Sequence, residues 1–183
     1  MTMHAIRLLM VSIAIVSSFS ISSPAAAKRR GSLPSTGLRG IVYAKAPPDF
    51  TFDAGRGQER LSAFAGKPVV VNFWATWCGP CRDELDAFTR LEETYGDAVG
   101  LITLSDEPAG TARAFLAAHG LTLPVAEDPQ RTVFSAYSID KVPVTLVLGR
   151  DGTVRHVSVG QLDWPELQEA VERALAGGGE GST

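Results

Sequence analysis

Between Pro68 and Cys81 an apolar run of Val69, Val70, Val71, Phe73 and Trp74, broken only by Asn72, leads within four residues to Cys78-Gly79-Pro80-Cys81. A run without polar alternation suits a strand covered on both faces, as in a parallel sheet with helices on either side. Beyond the cysteines the period changes. Cys81, Leu85, Phe88, Leu91 and Tyr95 fall at near-helical spacing, with Arg82, Asp83 and Asp86 elsewhere around the turn. The cysteines therefore stand where a buried strand passes into an amphipathic helix.

The remaining segments extend this strand–helix order. Pro47-Pro48 stops any helix, and Asp49 to Asp53 alternates as a short strand. Gly55 and Gly57 mark a turn, and Glu59-Arg60-Leu61 returns as its partner, so a hairpin precedes the main fold. Val99 to Leu104 reads as a second buried strand, and 109–118 as a helix ended by Gly120. Pro124-Val125-Ala126 suits a short strand and 131–137 a short helix. Val144 to Leu148, the turn Arg150-Asp151-Gly152 and Val154 to Val159 form an antiparallel pair. Asp163 with Glu166 resembles a capping box, and Leu167, Val171, Ala174 and Leu175 give the stripe of a closing helix. Strands joined through helices imply parallel pairs with right-handed crossovers, and the terminal hairpin adds antiparallel strands. The expectation is an α/β fold with a mixed central sheet between helices.

The chain has 183 residues, enough for one domain with extensions. Arg7, the apolar stretch from Leu8 to Ile21 and Pro24-Ala25-Ala26-Ala27 read as an export signal over 1–27. An uncleaved anchor is the competing reading, although the stretch falls short of the roughly 20 apolar residues of a spanning helix. Residues 28–46, basic and then rich in Gly, Ser and Pro, read as a flexible linker, 47–176 as the domain, and 177–183 as a disordered tail. A formal net charge of −3, with no basic stripe, argues against a nucleic-acid partner.

Cysteine usage sharpens the picture. Exported small domains often carry several disulfides as staples, but this chain has 2 cysteines, and they bracket only Gly79-Pro80. A staple closing so short a loop is worth about 2 kcal/mol, against about 3 for fifteen residues. The spacing suits a bond that opens and closes. Thiol–disulfide exchange requires an attacking thiolate and a second thiol that resolves the mixed disulfide. Cys78 opens the helix, where free N–H groups and the dipole favour negative charge, so it is the expected nucleophile. Cys81 lies one turn further on, on the stripe with Leu85 and Phe88, and is the expected resolving thiol. Pro80, without an N–H, is tolerated in a first helical turn.

The segment Val-Val-Val-Asn-Phe-Trp-Ala-Thr-Trp-Cys-Gly-Pro-Cys (69–81) resembles the thioredoxin active-site segment. The wider chain is similar to the exported TlpA/ResA branch of that superfamily. The supporting pieces are Pro48-Asp49-Phe50, Gly66-Lys67, Arg82, Glu84 and Val142-Pro143-Val144-Thr145, over about residues 47–176. The resemblance implies a thioredoxin fold with the N-terminal β-hairpin extension and a central insertion. It implies a cis Pro143 beside the cysteines, with Val142 offering its backbone to an extended substrate segment alongside Trp77, Gly79 and Pro80. It also implies disulfide-containing exported proteins as partners, with c-type cytochrome assembly a common assignment, and a membrane electron donor that recharges the enzyme. No cofactor beyond the redox-active cysteine pair is expected.

Glu84 has two readings. It is a solvated first-turn acid, or a partly buried carboxylate with a raised pKa that exchanges protons with Cys81. Its i+4 and i+7 neighbours, Phe88 and Leu91, favour the second. Thioredoxin has a buried aspartate where this chain has Asn72, so the proton-transfer duty passes to Glu84 as a hypothesis. Asp86 stands where the family usually has proline. Trp77 is expected at the surface and Trp74 in the core. His119 and His156 are isolated and form no metal site.

Other functions fare worse. A peroxiredoxin-type peroxidase needs Thr or Ser three residues before its cysteine and Pro four further back, where Ala75 and Val71 stand. A copper chaperone of this fold spaces its cysteines more widely, and zinc needs about two more ligands. A disulfide oxidase or isomerase of the same fold stays open, because potentials within it differ by about 150 mV, while Gly79-Pro80 leans towards reduction. A non-catalytic binding module is the remaining alternative.

Overall fold

The computed structural model describes Ile41 and residues 43–177. The predicted export signal and anchor, nearly all of the linker, and residues 178–183 of the predicted tail lie outside the described residues. Among the described residues no helix is long and apolar enough to cross a membrane.

The hairpin is present as β1 (Thr51–Asp53) and β2 (Gln58–Arg60), paired antiparallel. The main sheet centres on β3 (Val69–Trp74), in which every residue is buried. On one side it pairs in parallel with β4 (Gly100–Ser105), which in turn pairs with β5 (Val125–Glu127). On the other side runs the antiparallel β6 (Val144–Leu148), followed by β7 (Val154–Val159). The order β5-β4-β3-β6-β7 is the mixed sheet expected from the sequence.

Alternation along β3 feeds two cores, which explains why the run carries no polar period. Val70 and Trp74 face a layer built from α2 (Leu85–Tyr95), α3 (Thr111–Ala118) and α5 (Trp164–Leu175), including Phe88, Leu116 and Val171. Val69, Val71 and Phe73 face the other layer, which holds Phe50 and Phe52 of the hairpin region and Phe134 of α4 (Thr132–Ala136). Asn72, by the same alternation, shares the face of Val70 and Trp74.

Local chemistry terminates the elements as the residues dictate. Asp163 caps α5 by accepting the Glu166 N–H at 2.9 Å. Gly120, at φ +68°, ends α3, with Leu121 N–H donating to Leu116 O at 2.9 Å, the bond pattern that needs a left-handed residue. At Gly100 a Cβ would run into the ring of Phe64, so any larger residue at the start of β4 must displace that ring.

Two boundaries differ from expectation. The packed region reaches back beyond residue 47, because Ile41 is buried and Ala44 N–H donates to Val154 O at 2.9 Å. The helix after the cysteines is also two helices, α1 (Gly79–Asp83) and α2, meeting at Glu84 (φ −89°, ψ −9°). The break falls at the residue whose side chain enters the core, and Ala87 N–H closes onto Glu84 O at 2.9 Å to restart the helix.

Candidate active site

The site lies at the C-terminal end of β3, where the chain turns into α1. Cys78 N–H donates to Ala75 O at 3.2 Å, closing a tight turn with Thr76 and Trp77 at its corners. Cys78 then caps α1, its Sγ accepting the Cys81 N–H at 3.2 Å. An anion at this position receives a backbone donor, which favours a thiolate in the reduced protein.

Cys78 and Cys81 form a disulfide with their Cα atoms 5.2 Å apart. Their exposures separate their roles: Cys78 is 6% exposed and Cys81 0%. What surface the pair has belongs to Cys78, and Cys81 is fully enclosed. Gly79 is half-buried, Pro80 is exposed within the first turn, and Trp77 is 70% exposed. Trp74, by contrast, is fully buried with its ring 6.0 Å from that of Phe115.

The segment before β6 completes the face. Val142–Pro143 is a cis peptide, as expected. The Val142 carbonyl oxygen lies 3.8 Å from Cys78 Sγ, so this backbone borders the reactive sulfur. Pro143 is buried, and its carbonyl accepts the Gly160 N–H at 2.9 Å.

Glu84 is 1% exposed, which rules out the solvated reading. Its Oε1 accepts from Asn72 Nδ2 at 2.7 Å and its Oε2 from the Leu162 N–H at 3.1 Å. Burial drives its pKa up to about 7, and the Leu162 and Asn72 hydrogen bonds only partly oppose the rise. A carboxyl that titrates near neutrality can take or return a proton as the adjoining helix undergoes its thiol chemistry. Asn72 also donates to Thr145 Oγ1 at 3.0 Å, so the residue replacing thioredoxin's aspartate is a partner of the acid.

Sequence reasoning did not find three participants. Thr145 ends the Val142–Thr145 run, where nothing in the sequence assigns it a role. Leu162 contributes a main-chain N–H, which no side-chain signal announces. Glu107, after β4, accepts from Thr76 N–H at 2.7 Å and Thr76 Oγ at 2.6 Å. Among the described residues no group of His, Cys, Asp or Glu is arranged to hold a metal. His119 bonds Phe115 O, and His156 Nε2 lies 3.4 Å from Glu166 Oε1.

Comparison with known proteins agrees with this geometry. Residues 43–157 match the AhpC/TSA family. The chain is 30% identical over 138 residues to the thioredoxin-like protein YneN of Bacillus subtilis, covering 73% of this chain and 81% of that one. It is 30% identical over 135 residues to the thiol-disulfide oxidoreductase ResA of Geobacillus kaustophilus, covering 72% and 78%. A solved structure from Chlorobium tepidum, described as a thiol:disulfide interchange protein DsbE, superposes with a TM-score of 0.68 at 27% identity. It covers 74% of this chain and 99% of that one.

Proposed function

Because the chain belongs to the AhpC/TSA family of thioredoxin-like proteins and is a thiol–disulfide oxidoreductase, we propose that it works after export as a reductase of disulfides in other exported proteins. The observation that carries this reading is the pairing of a slightly exposed Cys78 with a fully enclosed Cys81, bordered by Val142 and followed by the near-neutral Glu84. The TlpA/ResA resemblance supports apocytochromes c as one class of client and a membrane protein as the source of electrons. The export signal read at 1–27 supports work outside the cytoplasm.

A partner segment lies in extended form against Val142–Pro143, with Trp77, Gly79 and Pro80 around it. The Cys78 thiolate attacks one sulfur of the partner's disulfide, and the other sulfur leaves as a thiolate that takes up a proton. A mixed disulfide now joins Cys78 to the partner. Cys81 loses its proton, which Glu84 accepts, and attacks Cys78 Sγ. The second partner thiol departs, and the Cys78–Cys81 bond is formed. Two electrons have passed to the partner, and the membrane donor returns two to the enzyme.

The reduction potential of the Cys78–Cys81 pair tests the direction. A value near that of thioredoxin, about −270 mV, is expected, with insulin reduction that disappears in Cys78→Ser. A potential near that of the strong oxidants, about −120 mV, overturns the reductase reading in favour of a disulfide oxidase. An absence of exchange with any disulfide favours the binding module.

A further inference from the structure

The carboxylate of Glu107 grips the residue two places before the nucleophile. Both of its oxygens are engaged by Thr76, one by the backbone N–H at 2.7 Å and one by the hydroxyl at 2.6 Å. Ser105 steadies the carboxylate from the end of β4, its Oγ donating to Oε2 at 3.1 Å while accepting the Glu107 N–H at 3.3 Å. Ser105 is the register partner of Trp74, so the grip joins the loops that leave two adjacent parallel strands. The Thr76 carbonyl, in turn, lies 3.5 Å from Arg82 Nη1 of α1. Among the described residues no Lys, Arg or His is ion-paired with Glu107.

An acid in this place does more than a neutral tether would. The Thr76 N–H meets the carboxylate at 2.7 Å and the Cys78 N–H closes onto Ala75 O at 3.2 Å, so with ordinary bond lengths the charge stands about 12 Å or less from Cys78 Sγ. Three neutral donors hold it there, and the nearby Arg82 guanidinium bonds the Thr76 carbonyl instead of the carboxylate. A negative charge so placed disfavours a thiolate at Cys78 and leaves the disulfide state untouched.

We propose that Glu107 is a positioning residue that clamps the Thr76–Cys78 turn and, by its charge, biases the Cys78–Cys81 couple towards the disulfide, making the protein a stronger reductant. The proposal takes from the functional reading only that Cys78 works as a thiolate. The balanced reaction is protein disulfide plus two glutathione thiols giving protein dithiol plus glutathione disulfide, and Glu107 opposes its forward direction.

The test equilibrates the full chain with reduced and oxidised glutathione at about pH 8.5, where a free thiol is half-ionised. The dithiol fraction is counted by alkylation and mass. Glu107→Gln, which removes the charge and keeps an acceptor, is expected to shift the equilibrium constant about fivefold towards the dithiol, equivalent to about 20 mV. Glu107→Ser, a second charge-free variant, is expected to shift it the same way. Glu107→Asp and Thr76→Val keep the charge and are expected to stay within about twofold of the parent. Charge-free variants that match the parent overturn the proposal, as does an equal shift in all four. A parent potential among the oxidants defeats the reductase reading alone, since the Glu107 effect is a difference between variant and parent.

Discussion

The Asn72 amide donates to Glu84 Oε1 across 2.7 Å, linking the middle of the central strand to the break between α1 and α2. The carboxyl is held by this amide and by the Leu162 N–H, both neutral dipoles, within a wall of apolar side chains. Neutral donors offset only part of the cost of burying a charge. The acid therefore titrates near 7 instead of in the usual carboxylate range.

A first consequence concerns stability. Glu84 ionises near 7 when folded and near 4.5 when unfolded, so between those values the folded state holds the extra proton. Stability from this group is complete below about pH 4.5 and is lost as pH rises through about 7. The loss amounts to roughly 3 kcal/mol, taken from the size of the shift. Urea denaturation of the oxidised protein across that window should show the decline, and Glu84→Gln should flatten it. An identical decline in the variant would place the titration elsewhere.

Asn72→Leu removes the donor to Glu84 Oε1 and leaves the apolar lining otherwise complete. A hydrogen bond to a charged group is worth about 1.5–3 kcal/mol, so the pKa of Glu84 should climb by about one unit or more. Carbon NMR of the labelled carboxyl reads this directly. The pH profile of the resolving step should move to higher pH with it. A Glu84 titration unmoved by the change would show that the amide does not hold the charged form.

Much of this architecture was legible before any coordinates. The uninterrupted Val69–Trp74 run reads as a doubly covered strand, and alternate residues of β3 do fill separate cores. The cysteine pair, Trp77 and Pro143 carry their meaning in local sequence. The break at Glu84 does not, because Cys81, Leu85 and Phe88 keep one apolar stripe through it and periodicity averages over a single residue. The Leu162 N–H has no side-chain identity to read. Glu107 and Thr76 are 31 residues apart in two loops, and only the parallel pairing of β3 with β4 brings them together.

Cys81→Ser separates attack from resolution. Cys78 keeps its outward edge and its backbone donor, so it should still open a partner's disulfide. With no second thiol, the reaction stops at the mixed disulfide. Incubating the reduced variant with an exported disulfide protein should therefore accumulate a covalent complex that reductant dissolves. Cys78→Ser should form none, because the remaining sulfur, at Cys81, is enclosed. A complex formed through Cys81 would reverse the assigned roles.

Trp77 is the large side chain that the turn leaves outside, 70% exposed while Trp74, three residues earlier, is fully buried. An indole in water next to a reactive sulfur contributes little to the fold, and exposed substitutions of this kind shift stability by about 0.5 kcal/mol or less. Buried against a partner, the same ring is worth about 1–2 kcal/mol or more, a tenfold effect or thereabouts. Trp77→Ala should therefore raise KM for a protein disulfide by about tenfold, with kcat and melting temperature close to the parent's. A small disulfide such as oxidised glutathione, too short to reach the ring, should react at nearly the parent rate. Equal losses on the large and small substrates would mean that the indole shapes Cys78 itself and does not meet the partner.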